Sequence, residues 1–222
     1  DALPEDVFSL EYKANFLDDA AAVFRGVSEI VRDDCLSDVK KGEVYVMGVD
    51  LGKHRDFTVL TVVELSTNKV VFVDRFNQLD WNIQKARIKA AAERYNRARI
   101  IIDSTGLGDP ISDDLQKEGL VVDDYKYTNK SKMQLIQKLS IFIEQKDLTI
   151  PNNDMLLDEL SSFGYSITES GSTTYSAPQG MHDDMVNSLA LAVWPLQRRA
   201  QQKNALQKQL AEGARRTSGS FI

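Results

Sequence analysis

Cysteine occurs once, at Cys35, which excludes an intramolecular disulfide and any multi-cysteine zinc site and suits a reducing compartment. Long apolar runs are missing as well: none reaches the roughly 18 residues needed to span a bilayer. The N-terminal stretch DALPEDVFSLEYKA is acidic and lacks a basic region followed by an apolar core, so a signal peptide is not expected. There is no excess of positive charge. Basic residues number 27 against 33 acidic ones, a formal charge of -6, so no strong overall field attracts nucleic acid and any contact with DNA must be local. From these absences the protein is expected to be soluble and intracellular.

What is present is enough apolar sequence for a core of ordinary size, 42% of 222 residues, which points to one globular domain with appendages. Residues 1–42 read as a helical and loop lead-in, since EYKANFLDDAAAVF has apolar residues at helical spacing and no strand alternation. From Glu43, the segments EVYVMGVDLG, FTVLTVVELS and KVVFVDRFN form three β-rich runs, the last two an antiparallel hairpin. A helix near Trp81 to Asn96, capped by Asp80, leads to the buried strand RIIID and a glycine-bearing loop, a β-to-α-to-β crossover. Further elements alternate: a helix near Asp109 to Glu118, a strand near Val121 to Tyr125, a long helix from Lys130 to Gln145, a short strand at LTIP and a helix from Asp154 to Ser161. FGYSITESGSTTYSAP reads as a hairpin with its turn at Ser170-Gly171, and MHDDMVNSLALAVWPLQRR as a buried helix. The main domain is thus expected over 43–199, with a polar tail at 200–222. The expected class is α/β: a central mixed sheet flanked by helices, with an additional β-hairpin before the last core helix.

Carboxylates sit where these elements give out. Asp50 closes YVMGVD, Asp103 closes RIIID, and Asp183 and Asp184 open the last helix. Strand-end acids converge at one edge of a sheet, and a nearby helix start adds more, so distant residues can bind a hard cation through oxygen. A lone aspartate in such a place can simply close a turn or complement a helix dipole. Two strand-end acids and an adjacent pair exceed that need. Anionic oxygens gathered without a cation would repel one another and raise their pKa values, whereas Mg²⁺ or Mn²⁺ would relieve them. Two such ions can activate a water and steady the leaving oxygen of a phosphodiester without a side-chain nucleophile, consistent with the absence of a Ser-His-Asp or Cys-His set.

Three blocks in this order, GVDLGKHRDFTVL, IIIDSTGLGDP and SAPQGMHDDMVNSLALA, resemble the nuclease domain of a tailed-phage large terminase subunit, over about residues 43–196. The resemblance implies a ribonuclease H-like fold and a metal-dependent endonuclease that cuts concatemeric viral DNA during genome packaging. By motif, Asp50, Asp103 and Asp184 match the family's metal-binding acids, with Asp183 and Asp56 as auxiliary acids. It further implies two Mg²⁺ or Mn²⁺ ions, double-stranded DNA as substrate, an ATPase motor domain, small terminase subunit and portal protein as partners, and the cytoplasm of an infected bacterial host. No GxxxxGK[ST] phosphate loop occurs, so this chain is not the packaging motor on its own, and the lead-in is expected to follow an ATPase domain.

Lys53, His54 and Arg55 follow Asp50 and could hold a phosphate, a solvated basic loop explaining them equally well, whereas for Lys126, Lys130, Lys132, Arg198 and Arg199, which could contact the DNA backbone, solvated faces are the default. His182 could orient an acid or a water, with direct metal ligation less expected. Tyr165 and Tyr175 are expected to pack across the late hairpin, which could gate the site. Three other readings compete: a structure-specific Holliday-junction resolvase, an actin-like phosphotransferase, for which the second glycine-rich phosphate segment is missing, and a non-catalytic interaction module.

Overall fold

A computed structural model describes residues 23–52, 56–105, 108–167 and 173–197. Its centre is a five-stranded sheet of β2 (Tyr45–Asp50), β3 (Thr58–Glu64), β4 (Lys69–Phe76), β5 (Arg99–Asp103) and β6 (Val122–Tyr125), in the order β4-β3-β2-β5-β6. The pairings β4-β3 and β3-β2 are antiparallel, while β2-β5 and β5-β6 are parallel. The antiparallel half follows from short connections, and the parallel half from the helices that carry the chain back across the sheet. These are α2 (Trp81–Arg94) between β4 and β5, and α3 (Gly108–Lys117) between β5 and β6.

Every residue of β2 and β3 is buried, which is why both read as nearly continuous apolar runs. Side-chain alternation divides the interior into two cores. Met47, Val49, Leu60, Ile100 and Ile102 meet α2 and α3 on one face. Val46, Val59, Ile101 and Tyr125 meet α4 (Asn129–Glu144), α5 (Asp154–Ser162) and α6 (Asp184–Val193) on the other. By the same period of two, Asp50 shares the face of Val46 and Asp103 that of Ile101, so both acids point toward α6. In the parallel register Val49 lies opposite Ile102, and the two aspartates follow one step further along.

Gly48 allows α6 to come close. A Cβ at that position would stand 2.0 Å from the Ser188 carbonyl oxygen and 2.5 Å from the Ala192 nitrogen, so the helix backbone rests where any side chain would be. Ser188 Oγ completes the contact, donating to the Gly48 carbonyl at 3.0 Å and lying 2.9 Å from Thr61 Oγ1. The close approach brings the start of α6 to the end of β2.

Local signals account for the other helix starts. Asp80 accepts from the Asn82 N–H, Asn153 from the Leu156 N–H, and Thr128 and Ser131 form a reciprocal capping box on α4. Within its described part, the lead-in adds a short strand to the expected loop and helix. A short helix α1 (Val27–Ile30) runs into β1 (Val31–Arg32), which pairs in parallel with β7 (Ile150–Pro151). Two residues are too few to show strand alternation. Phe24, Ile30 and Cys35 are buried, so this described stretch is built into the body.

β8 (Gly164–Ile167) and β9 (Thr173–Ser176) form the expected hairpin, with Tyr165 opposite Tyr175 and their rings 6.3 Å apart. Its turn, the N-terminal 22 residues, and the tail from Arg198, including Arg199, lie outside the described residues. Among the described residues, no helix is long and apolar enough to cross a membrane.

Candidate metal centre

At the end of the sheet where β2 and β5 stop, a cleft of about 310 Å³ is lined by Asp50, Asp56, Asp103, Tyr127, Lys132, His182, Asp183, Asp184 and Asn187, together with Leu51 and Met181. All five acids singled out from sequence therefore meet in one place. They arrive from three separate elements and a loop.

Asp50 is 8% exposed, and its Oδ2 accepts from Asn187 Nδ2 at 3.2 Å. Burial pushes its carboxyl well above the ordinary range, with the charges of Asp184 and Asp103 adding to the shift and the Asn187 bond opposing it. Asp103 accepts from the Thr105 N–H at 2.9 Å, and burial raises its pKa against that bond and the nearby Lys132 charge. Asp184 accepts from the Phe57 N–H at 3.3 Å and lies 3.4 Å from His182 Nδ1. Burial raises it too, opposed by those two partners and reinforced by Asp183 and Asp56. Three carboxyls from distant parts of the chain are thus held where ionisation is opposed.

The start of α6 shows why its acids are free for this role. Asp183 occupies the N-cap position yet makes no capping bond with its side chain. The first-turn N–H groups are taken by Glu159 of α5, whose Oε2 accepts from Met185 at 2.8 Å and from Val186 at 3.3 Å, while its Oε1 stands 3.9 Å from Arg75. A carboxylate from another helix complements the dipole. Asp183 instead pairs with Lys132 at 3.3 Å and accepts from Asn187 Nδ2 at 3.2 Å. Since two carboxylates accept from that one amide nitrogen, its orientation is fixed, and Asn187 Oδ1 is left buried without a protein partner.

The donor set suits a hard divalent cation, being rich in carboxylate oxygen and electrostatically strained without positive charge. Among the described residues, Asp56, His182 and Asp184 each offer a ligand atom within 4.8 Å of the others, so His182 has the position of a ligand and not only of an orienting residue. Asp184, a member of that trio, shares the cleft with Asp103 and with Asp50, whose ionisation its charge opposes.

The basic residues are distributed differently. Lys132 faces into the cleft on Asp183, Lys126 is paired with Asp109 at 3.3 Å, and Lys130 is exposed in the first turn of α4. Lys53, His54 and Arg55 lie outside the described residues. Gly52 is packed against its own loop, where an added Cβ would stand 2.4 Å from the Asp56 carbonyl oxygen. Sequence reasoning missed Asn187, Tyr127 and Glu159. Asn187 follows Asp183 by four residues, a helical spacing that places it on the same face. Tyr127 and Glu159 reach the site through tertiary packing and carry no comparable local signal.

Comparison with known proteins agrees with this fold. The family model of the Terminase RNaseH-like domain matches residues 47–194. The large terminase subunit of Thermus virus P23-45 is 35% identical over 199 residues, covering 86% of this chain and 41% of that protein. The chain therefore spans about two-fifths of the length of the curated relatives it matches. The crystal structure of the large terminase nuclease from thermophilic phage G20c matches with a TM-score of 0.75 at 31% identity, covering 80% of this chain and 100% of that one. Its magnesium-bound form matches with a TM-score of 0.75 at 32% identity, covering 80% and 98%. With the expected mixed sheet, its flanking helices and the acidic cleft at the expected strand ends, this chain belongs to the terminase ribonuclease H-like domain family.

Proposed function

We propose that this domain is a metal-dependent DNA endonuclease, the cutting part of a large terminase subunit that severs concatemeric viral DNA during genome packaging. The observation that carries the reading is the gathering of Asp50, Asp103 and Asp184 in one cleft, each with its pKa raised. The magnesium found in the G20c nuclease supports it. Asp50, Asp103 and Asp184 would hold Mg²⁺ or Mn²⁺, with Asp183, Asp56 and His182 beside them. Bound as a pair, such ions supply an acidified water and charge neutralisation for phosphodiester hydrolysis.

The chain's own residues prepare that chemistry. Asn187 fixes the Asp50 carboxylate through its amide, and Lys132 restrains Asp183. His182 and the Phe57 N–H fix Asp184. Double-stranded DNA is the proposed substrate, delivered by an ATPase motor domain, a small terminase subunit and a portal protein in the cytoplasm of the infected host.

Supercoiled plasmid incubated with the purified chain and Mg²⁺ or Mn²⁺ tests the reading. Nicked and linear products that vanish with EDTA and with Asp103→Asn support it. Intact plasmid with either ion, or undiminished cutting by Asp103→Asn, contradicts it.

A further inference from the structure

Tyr127 follows β6 and leans into the cleft beside the acids, yet its hydroxyl oxygen is buried without a hydrogen-bond partner in the protein. A buried donor left unpaired among carboxylates is costly, and such groups concentrate where a ligand completes them. We infer that the Tyr127 hydroxyl is a substrate contact, donating to an oxygen of the phosphodiester drawn into the cleft. The inference rests on the nuclease reading and extends it to a residue outside the acidic set.

The tyrosine is held in place from several sides. Its N–H donates to Thr105 Oγ1 at 2.9 Å, tying it to the loop after Asp103. Its ring meets Tyr125 edge-on with centroids 5.8 Å apart, and Lys132 Nζ stands 5.6 Å from its centroid. The hydroxyl therefore has little freedom to seek another acceptor, the condition under which one donor contributes most to catalysis. Burial, followed by the charges of Asp50, Asp103 and Asp183, pushes the phenol's pKa well above its ordinary value. The group stays neutral and protonated, so it can approach an anionic oxygen without repulsion. The other orphaned atom lining the cleft, Asn187 Oδ1, is an acceptor. The two offer complementary partners to a hydrated phosphodiester.

Tyr127→Phe removes the hydroxyl and keeps the ring. Single-turnover cleavage of a DNA duplex with Mn²⁺ should slow by about 100-fold, the scale of one lost preorganised donor. The duplex should bind about tenfold more weakly in Ca²⁺. The melting temperature should equal or exceed that of the parent, since the hydroxyl removed is buried and unpaired, and its rise on adding Mg²⁺ should be unchanged, since no carboxylate is removed. Cleavage at the parental rate overturns the inference, as does loss of the Mg²⁺-induced rise, which would assign the hydroxyl to metal binding. If the parent itself leaves the duplex intact, the nuclease reading fails separately. The Ca²⁺ affinities then decide Tyr127 alone: equal binding by parent and variant overturns its role, and weaker binding by the variant supports it.

Discussion

Asp50 ends β2 with its carboxylate out of water, and the groups that face it from β5 and α6 include two further acids, Asp103 and Asp184. Its folded-state pKa is raised, so between the ordinary carboxylate pKa and the raised one the folded chain holds a proton that the unfolded chain has released. Stability of the metal-free protein from this group therefore falls as pH rises through that window, the reverse of a salt-bridged aspartate. Asp50→Asn should accordingly raise the metal-free melting temperature at neutral pH and flatten its decline from mildly acidic pH. A gain of about 1 kcal/mol would read as roughly 2–4 °C in a chain of this size. Added Mg²⁺ should reverse the order, stabilising the parent above the variant. Lower metal-free stability of the variant at neutral pH would contradict the electrostatic account. At this scale the acids were legible because strand ends and helix starts are themselves legible. Tyr127 was not, because its place depends on how the chain leaves β6 and packs against Thr105 and Lys132.

The start of α6 illustrates what a single element conceals. Sequence alone allowed Asp183 or Asp184 to act as the helix's own dipole partner, whereas Glu159, 26 residues before Met185, takes that role from α5. Such a partner has no local pattern to announce it. Burial raises the Glu159 carboxyl, and its two backbone bonds oppose the shift, so the group is coupled to the helix it caps. Glu159→Leu should cost about 2–4 kcal/mol in denaturant unfolding, by stripping two helix N–H groups and leaving Arg75 without its anion. Glu159→Gln keeps an acceptor oxygen and should cost less than half as much. Both should weaken Mg²⁺ binding in titration calorimetry, the leucine variant more. Unchanged affinity in a folded leucine variant would show that Asp184 does not depend on this cap. Helix α4 offers the contrast: its capping box, formed by Thr128 and Ser131, lies within three residues, and its start was readable to within one position.

Across the whole molecule, the sheet order and the seating of α6 bring three acids from distant parts of the chain to one end of the sheet, while net charge opposes DNA. The formal charge is -6, and Lys132 and Lys126 are both paired with aspartates, so attraction to a duplex must come from few groups and from bound cations. The affinity of the isolated domain for DNA should be weak and fall about tenfold or more between 50 and 200 mM salt in fluorescence anisotropy. Salt-independent binding would indicate contacts other than phosphate. The mixed sheet and late hairpin were legible in alternation and turn residues. LTIP reads as a short strand and forms β7, but its parallel partner β1 was not legible, since a two-residue strand has no period to read.

The central claim is that the ends of β2 and β5 and the start of α6 form one cation site. Anomalous diffraction from a crystal soaked in Mn²⁺ tests it most directly. A peak is expected within coordination distance of Asp50, Asp103 and Asp184 carboxylate oxygens. A cleft without a peak at saturating Mn²⁺, or manganese held only by residues outside it, would contradict the account.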